Sequence, residues 1–141
     1  MKKIIIVAPV SKSLIDFRGD LIKDMKNKGY NVITVSPALT EEYVNIFQQQ
    51  KIDNIPINFQ RNKLNPFFDL LTLVKLFKIF WKQAPDIILS YTIKPNILSG
   101  ICCSILKIPN IVMITGLGYV FTFNSILSKI LTIIYRISLK N

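Results

Sequence analysis

Short apolar runs and helically spaced apolar positions alternate along this chain from its start. Residues 4–8 form a β-rich run. Over 16–27, Phe17, Leu21, Ile22 and Met25 recur at helical spacing, with Asp16 as the expected cap and Gly29 as the stop. Residues 32–35 read as a second strand and 41–50 as a short helix. A third strand is expected over 53–59, where Pro56 indicates an edge position. A long helix follows over about 66–82, opened by Pro66 in its first turn. Strands at 87–89 and 110–114 bracket a helix over 95–106, and a last helix is expected at about 124–139. Apolar strands alternating with helices predict a parallel sheet covered on both faces. The expected fold class is therefore α/β, a Rossmann-like doubly wound parallel sheet in a single domain.

Composition sharpens this picture. The chain has 141 residues, enough for one domain with a real core. Half of its residues are hydrophobic, yet its formal net charge is +10. Apolar excess joined to positive charge points to an anionic surface. The cations are interleaved with large aliphatic and aromatic side chains, and no nucleic-acid-binding motif is present. An anionic membrane surface is the expected partner, and nucleic acid is not. No uninterrupted apolar run approaches the ~20 residues of a spanning helix. Met1-Lys2-Lys3 imitates the charged start of a signal peptide, but the apolar part that follows is too short.

The strand runs at 87–89 and 111–114 each end in a polar loop that packing does not require. The first, 90–96, offers Ser90, Lys94 and Asn96 beside Pro95. The second sets Gly116 and Gly118 around Leu117, between Thr115 and Tyr119, a pattern that suits close backbone approach to a ligand. Ligands bind beyond the carboxyl ends of strands in open parallel sheets, so the two loops read as one site. Lys94 and Asn96 suit a phosphate or sugar hydroxyls. Taken singly, each residue fits a helix start or a turn as well; together they make a convergent polar set.

The loop after the first strand, 8–13, has neither Gly-x-Gly-x-x-Gly nor a phosphate loop ending in Gly-Lys-Ser/Thr, which argues against a dinucleotide or nucleoside-triphosphate fold. Arg18 has two readings: a guanidinium offered to an anionic ligand, or a solvated arginine in a first turn. The chain has no histidine, the commonest general base, and no carboxylate pair placed for acid–base work; Asp16, Asp20 and Asp24 form a helical stripe. Cys102 and Cys103 are adjacent, too strained for a bridge and too few for a metal site, so they are expected to be small buried side chains. No metal and no cofactor are expected.

On the long helix Lys75, Lys78 and Lys82 share one face, and Asp69 and Thr72 extend that polar arc. Lys129, Arg136 and Lys140 repeat the arrangement on the last helix. Such helices either lie in a bilayer interface, here with Phe80 or Trp81 inserted, or bury one face and leave a lysine stripe in solvent.

With these residues in view, the chain resembles the N-terminal domain of family 4 glycosyltransferases, retaining enzymes of the GT-B fold. The similarity is closest to bacterial members that build capsule, O-antigen or other surface glycans on a lipid carrier. It is carried by Phe17-Arg18-Gly19-Asp20-Leu21-Ile22, Gly29-Tyr30-Asn31-Val32, Leu64-Asn65-Pro66, Pro85-Asp86-Ile87-Ile88, Tyr91-Thr92-Ile93-Lys94-Pro95-Asn96 and Thr115-Gly116-Leu117-Gly118-Tyr119-Val120-Phe121. The resemblance implies a lipid-linked glycan acceptor at this domain, near the inner face of the cytoplasmic membrane. It also implies a C-terminal domain that binds a nucleotide-sugar donor and carries paired glutamates. By position, Arg18, Lys94, Asn96, Thr115, Gly116, Gly118 and Tyr119 would line the acceptor side. Many relatives carry a histidine after the fifth strand where this chain has Thr115-Gly116, so no role for it carries over. In the complete enzyme the leaving diphosphate would assist deprotonation of the acceptor hydroxyl.

The sequence ends in an apolar helix after Leu139-Lys140-Asn141, and the expectation is a shortened chain without the donor domain, inactive alone. An alternative is a non-catalytic, membrane-associated subunit that docks on a separate catalytic subunit. A flavodoxin-type nucleotide binder is disfavoured, because the first strand lacks a serine- and threonine-rich phosphate loop.

Overall fold

The structure is a computed structural model that describes residues 2–60 and 65–115 together with Thr132 and Arg136. Five apolar runs become strands: β1 (Lys3–Val7), β2 (Asn31–Ser36), β3 (Asp53–Pro56), β4 (Ile87–Tyr91) and β5 (Asn110–Met113). They form one parallel sheet in the order β3-β2-β1-β4-β5. Central β1 pairs with β2 through Ile4↔Val32 to Val7↔Val35, and with β4 through Ile4↔Ile87 to Val7↔Ser90. The β3 strand, with Pro56 at its last position, lies at a sheet edge, where a missing N–H breaks no ladder.

Side chains alternate across the sheet with period two, and each face has its own core. Ile4, Ile6 and Ala8 point to a layer made by α1 (Lys12–Asp16), α2 (Gly19–Asn27) and α3 (Glu41–Gln49), where Leu14, Ile22 and Phe47 are buried. Ile5 and Val7 point the other way, to α4 (Pro66–Gln83) and α5 (Ile93–Leu106), where they meet Leu76, Phe80, Leu98, Cys102 and Cys103. Strands covered on both faces need no polar side, which is why these runs read as continuous apolar segments.

Local signals set the helix ends. Asn65 Oδ1 accepts a bond from the Phe68 N–H at 3.2 Å, and Pro66 occupies the first turn of α4. Ala84 closes α4 in the left-handed region at φ 43°. Gly29, at φ +81°, ends the segment after α2 as its sequence suggests.

Three expectations need correction. The single helix over 16–27 is two: α1 ends at Asp16, and α2 starts anew at Gly19 after Arg18, which caps it with backbone only. Asp16 is thus the last residue of a short helix, with Lys12 Nζ 3.9 Å from its carboxylate. Next, α5 begins at Ile93, so Lys94, Pro95 and Asn96 occupy its first turn instead of a loop. Proline is tolerated there because first-turn N–H groups have no partner within the helix. Finally, Thr72 does not extend the polar arc of α4; it is 3% exposed, and its hydroxyl donates to the Phe68 carbonyl at 2.9 Å.

Candidate functional site

The winding direction reverses between β1 and β4, because β2 and β3 extend the sheet one way and β5 the other. A crevice at such a switch point, beyond the carboxyl ends of the strands, is where doubly wound sheets bind ligands. A pocket of about 220 Å³ occupies it, between Pro9 after β1, Thr92 after β4 and Thr115 after β5. Phe59 and Gln60 close it from the β3 side, and Lys94 stands at its cationic edge.

Thr92 caps α5 with φ 70° and ψ 162°, a region that is essentially reserved for glycine. Its side chain makes no cap hydrogen bond, so the first turn of α5 meets the pocket without a side-chain cap. A helix start favours an anion through its N–H groups and its dipole; here Pro95 has no N–H and that of Asn96 donates to the Thr92 carbonyl at 3.0 Å, which confines such a contribution to Ile93 and Lys94.

Lys94 brings an ammonium that is held in an ion pair. Its Nζ donates to both carboxylate oxygens of Asp69, at 2.9 and 3.0 Å. The two side chains are 19% and 26% exposed, so the pair is partly shielded from water. Asp69 belongs to the first turn of α4, and the contact ties α4 to α5 beside the pocket.

Arg18 lies apart from that pocket. Its guanidinium carbon lies 5.1 Å from the centroid of the Tyr91 ring, a cation–π contact. Its Nη1 donates to the Phe17 carbonyl at 2.8 Å. Ser13 spends its only hydrogen on the Val10 carbonyl at 2.6 Å, so Tyr91 is the donor in the 3.0 Å contact with the Ser13 oxygen. Burial pushes the Tyr91 phenol above its ordinary value, against the pull of the nearby Arg18 charge. Arg18 is therefore held against β4 and does not line the pocket.

Of the other expected site residues, Asn96 is 1% exposed, and its Nδ2 donates to the Met113 carbonyl at 3.2 Å, bracing α5 on β5. Ser90 lies inside β4, fully buried. Gly116, Gly118, Tyr119 and Lys129 fall outside the described residues; Arg136 is helical and exposed. The pocket thus unites Lys94 and Thr115 with Pro9, Gln60 and Thr92, which sequence reading had not singled out. No periodicity signals those three; their position after the strands was the available clue.

The outer face of α4 is unlike the pocket. Lys75, Lys78 and Lys82 are exposed, as are Phe67, Leu70, Leu71 and Val74. Trp81 is 73% exposed, whereas Phe80 is fully buried in the core, so of these two aromatics only Trp81 is available to a surface. No helix among the described residues is long and apolar enough to cross a membrane. Cys102 and Cys103 are free and buried, and burial pushes both thiols up to about 12.

Solved structures share this architecture. MurG of Acinetobacter baumannii superposes with a TM-score of 0.65 at 14% identity, over 96% of this chain and 39% of its own. A glycosyltransferase from Rickettsia africae gives 0.64 at 22% identity, over 91% and 35%. A deacetylase of teicoplanin biosynthesis gives 0.66 at 9% identity, over 84% and 68%, so the fold by itself does not settle the chemistry. The chain spans less than two fifths of the length of either MurG or the Rickettsia glycosyltransferase. No curated protein matches it. The Rossmann-like half of a GT-B fold is common to the first two, and the sequence over residues 3–141 matches one family throughout: the chain belongs to the glycosyl transferase 4-like family.

Proposed function

We propose that this domain is the acceptor-binding half of a glycosyltransferase, which moves a sugar from a nucleotide-sugar donor to a lipid-linked glycan acceptor in surface-polysaccharide synthesis. The observation that carries this reading is the switch-point pocket with Lys94 at its edge, in a chain of the glycosyl transferase 4-like family. An uncapped helix start beside an oriented ammonium suits the diphosphate of a lipid-linked sugar. Thr92, Thr115 and Gln60 supply polar groups for the sugar.

In this reading the domain works peripherally, on the inner face of the cytoplasmic membrane, with the exposed face of α4 toward the lipid. Three lysines near an anionic surface contribute roughly 3 kcal/mol before salt screening. Trp81 and its apolar neighbours add burial to that attraction. The donor would be held by a second domain or a separate catalytic subunit, which would also supply carboxylates, since none is among the described residues that line this pocket.

The test is calorimetric titration of the purified chain with a polyprenyl-diphosphate-linked sugar and, separately, with a nucleotide sugar. Binding of the lipid-linked compound, weakened in Lys94→Ala, is expected, with no binding of the nucleotide sugar and no transfer when both are present. Nucleotide-sugar binding without acceptor binding would reverse the assignment, and robust transfer by this chain alone would refute it.

A further inference from the structure

Lys94 and Asp69 meet beside the pocket from the first turns of two helices. Asp69 lies in the first turn of α4, where the positive end of the helix dipole favours a carboxylate. Lys94 is the second residue of α5, where the same end opposes an ammonium, and the first turn of α5 holds no acidic residue to offset it. Its side chain is also partly withdrawn from water, which makes a counter-anion more valuable. Asp69 meets that need with both carboxylate oxygens, at 2.9 and 3.0 Å. The Lys12–Asp16 pair, by contrast, spans 3.9 Å between exposed side chains and is an ordinary surface contact.

Lys94 lines the pocket and Asp69 does not, yet the ammonium that an entering phosphate would use is already engaged by that carboxylate. A phosphate and a carboxylate on one ammonium repel each other, so the two compete for it. Asp69 loses little by yielding, because the α4 dipole still favours its charge. Either anion meets the need of Lys94. We infer that Asp69 is an internal competitor for the pocket's ligand: it holds Lys94 while the pocket is empty and gives the ammonium up to an entering phosphate. Binding is thereby restricted to anions able to displace a carboxylate, which favours a diphosphate over a singly charged group, because attraction grows with the ligand's charge. The inference rests on the anionic acceptor proposed above and adds the residue that sets its selectivity.

Inorganic pyrophosphate is the probe, titrated calorimetrically into the full chain. Asp69→Asn keeps a hydrogen-bond acceptor beside Lys94 but removes the charge. It should bind pyrophosphate roughly tenfold or more tightly than the wild type, the scale on which one neighbouring charge shifts an ionisation. The gain should shrink as salt is raised. Asp16→Asn removes the same charge from an exposed site and should leave the affinity unchanged. With Lys94→Ala in place, Asp69→Asn should add nothing. In the wild type, the carboxyl-carbon NMR resonance of Asp69 should move in step with pyrophosphate saturation, a readout that needs no variant. Unchanged or weaker binding by Asp69→Asn would make Asp69 a residue that merely orients Lys94 and would overturn the proposal. So would an equal gain in Asp16→Asn, a gain that survives Lys94→Ala, or an Asp69 resonance that stays fixed at saturation. No pyrophosphate binding by wild type or variant overturns it too, whereas the acceptor reading is judged separately, on the lipid-linked compound.

Discussion

Replacing Thr92 by glycine should stabilise this protein. A β-branched residue at φ 70° and ψ 162° is strained, and a residue in such a region costs about 1–3 kcal/mol. Glycine adopts that conformation freely but loses more backbone entropy on folding, about 0.5–1 kcal/mol. The threonine side chain makes no cap hydrogen bond, so little else is lost. The difference is a net gain of about 0–2.5 kcal/mol, centred near 1. With a urea slope of about 1–3 kcal/mol per molar, a gain of 1 kcal/mol raises the midpoint by ~0.3–1 M. Urea unfolding followed by far-UV circular dichroism reads this directly, with an unchanged slope as the check on two-state behaviour. Thr92→Ala is the control, because it keeps a Cβ and hence the strain, and it should not rise. A midpoint for Thr92→Gly at or below that of Thr92→Ala would refute the argument. Because Thr92 lines the pocket, the glycine variant should also bind the acceptor proposed above less tightly, stability and ligand affinity moving in opposite directions.

Other outcomes follow from the same contacts. Asp69→Asn removes a charge-assisted pair at 2.9 and 3.0 Å and should lower stability by about 1–3 kcal/mol in the same urea assay, with the deficit shrinking in high salt. Cys102 and Cys103, pushed up to about 12 by burial, should resist alkylation by iodoacetamide at neutral pH in the folded protein and react promptly in urea. Their folded values lie above the ordinary 9.0, so the unfolded chain releases these protons first as pH rises. The stability they contribute is full below 9.0 and is lost as pH climbs toward about 12, which thermal melts across that range would record.

The strands were legible because both faces of the sheet are covered, which turns each of 4–8, 32–35 and 87–89 into an unbroken apolar run. Pro56 marked the edge for the equally simple reason that it cannot donate to a ladder. The α1–α2 break was hidden because apolar spacing runs on through Phe17 and Leu21, and only the two-residue turn Phe17-Arg18 separates the two helices. On α4, apolar side chains occur all round the helix, so periodicity could not tell buried Phe80 from exposed Trp81. The expected site was half legible. Lys94 and Thr115 follow from their place after strands, but the Asp69 that orients Lys94 is 25 residues away on another helix. Asn96 offered the same polar amide to a ligand or to the Met113 carbonyl, and only packing shows that it turns toward β5. The strain at Thr92 leaves no trace in residue type, since threonine is the wrong residue for that conformation.

The place of β1 in the centre of the sheet sets a timetable for synthesis. Lys3 and Asp86, which bond where β1 meets β4, are separated by 83 residues. At about 5–20 residues per second, a ribosome needs roughly 4–17 s to deliver that second neighbour. For that interval β1 has β2 at most on one side, and Ile4, Ile5, Ile6 and Val7 present an open apolar edge on the other. Lys2 and Lys3 stand at the head of the run, and charge flanking an apolar strand disfavours pairing of one unfinished chain with the next.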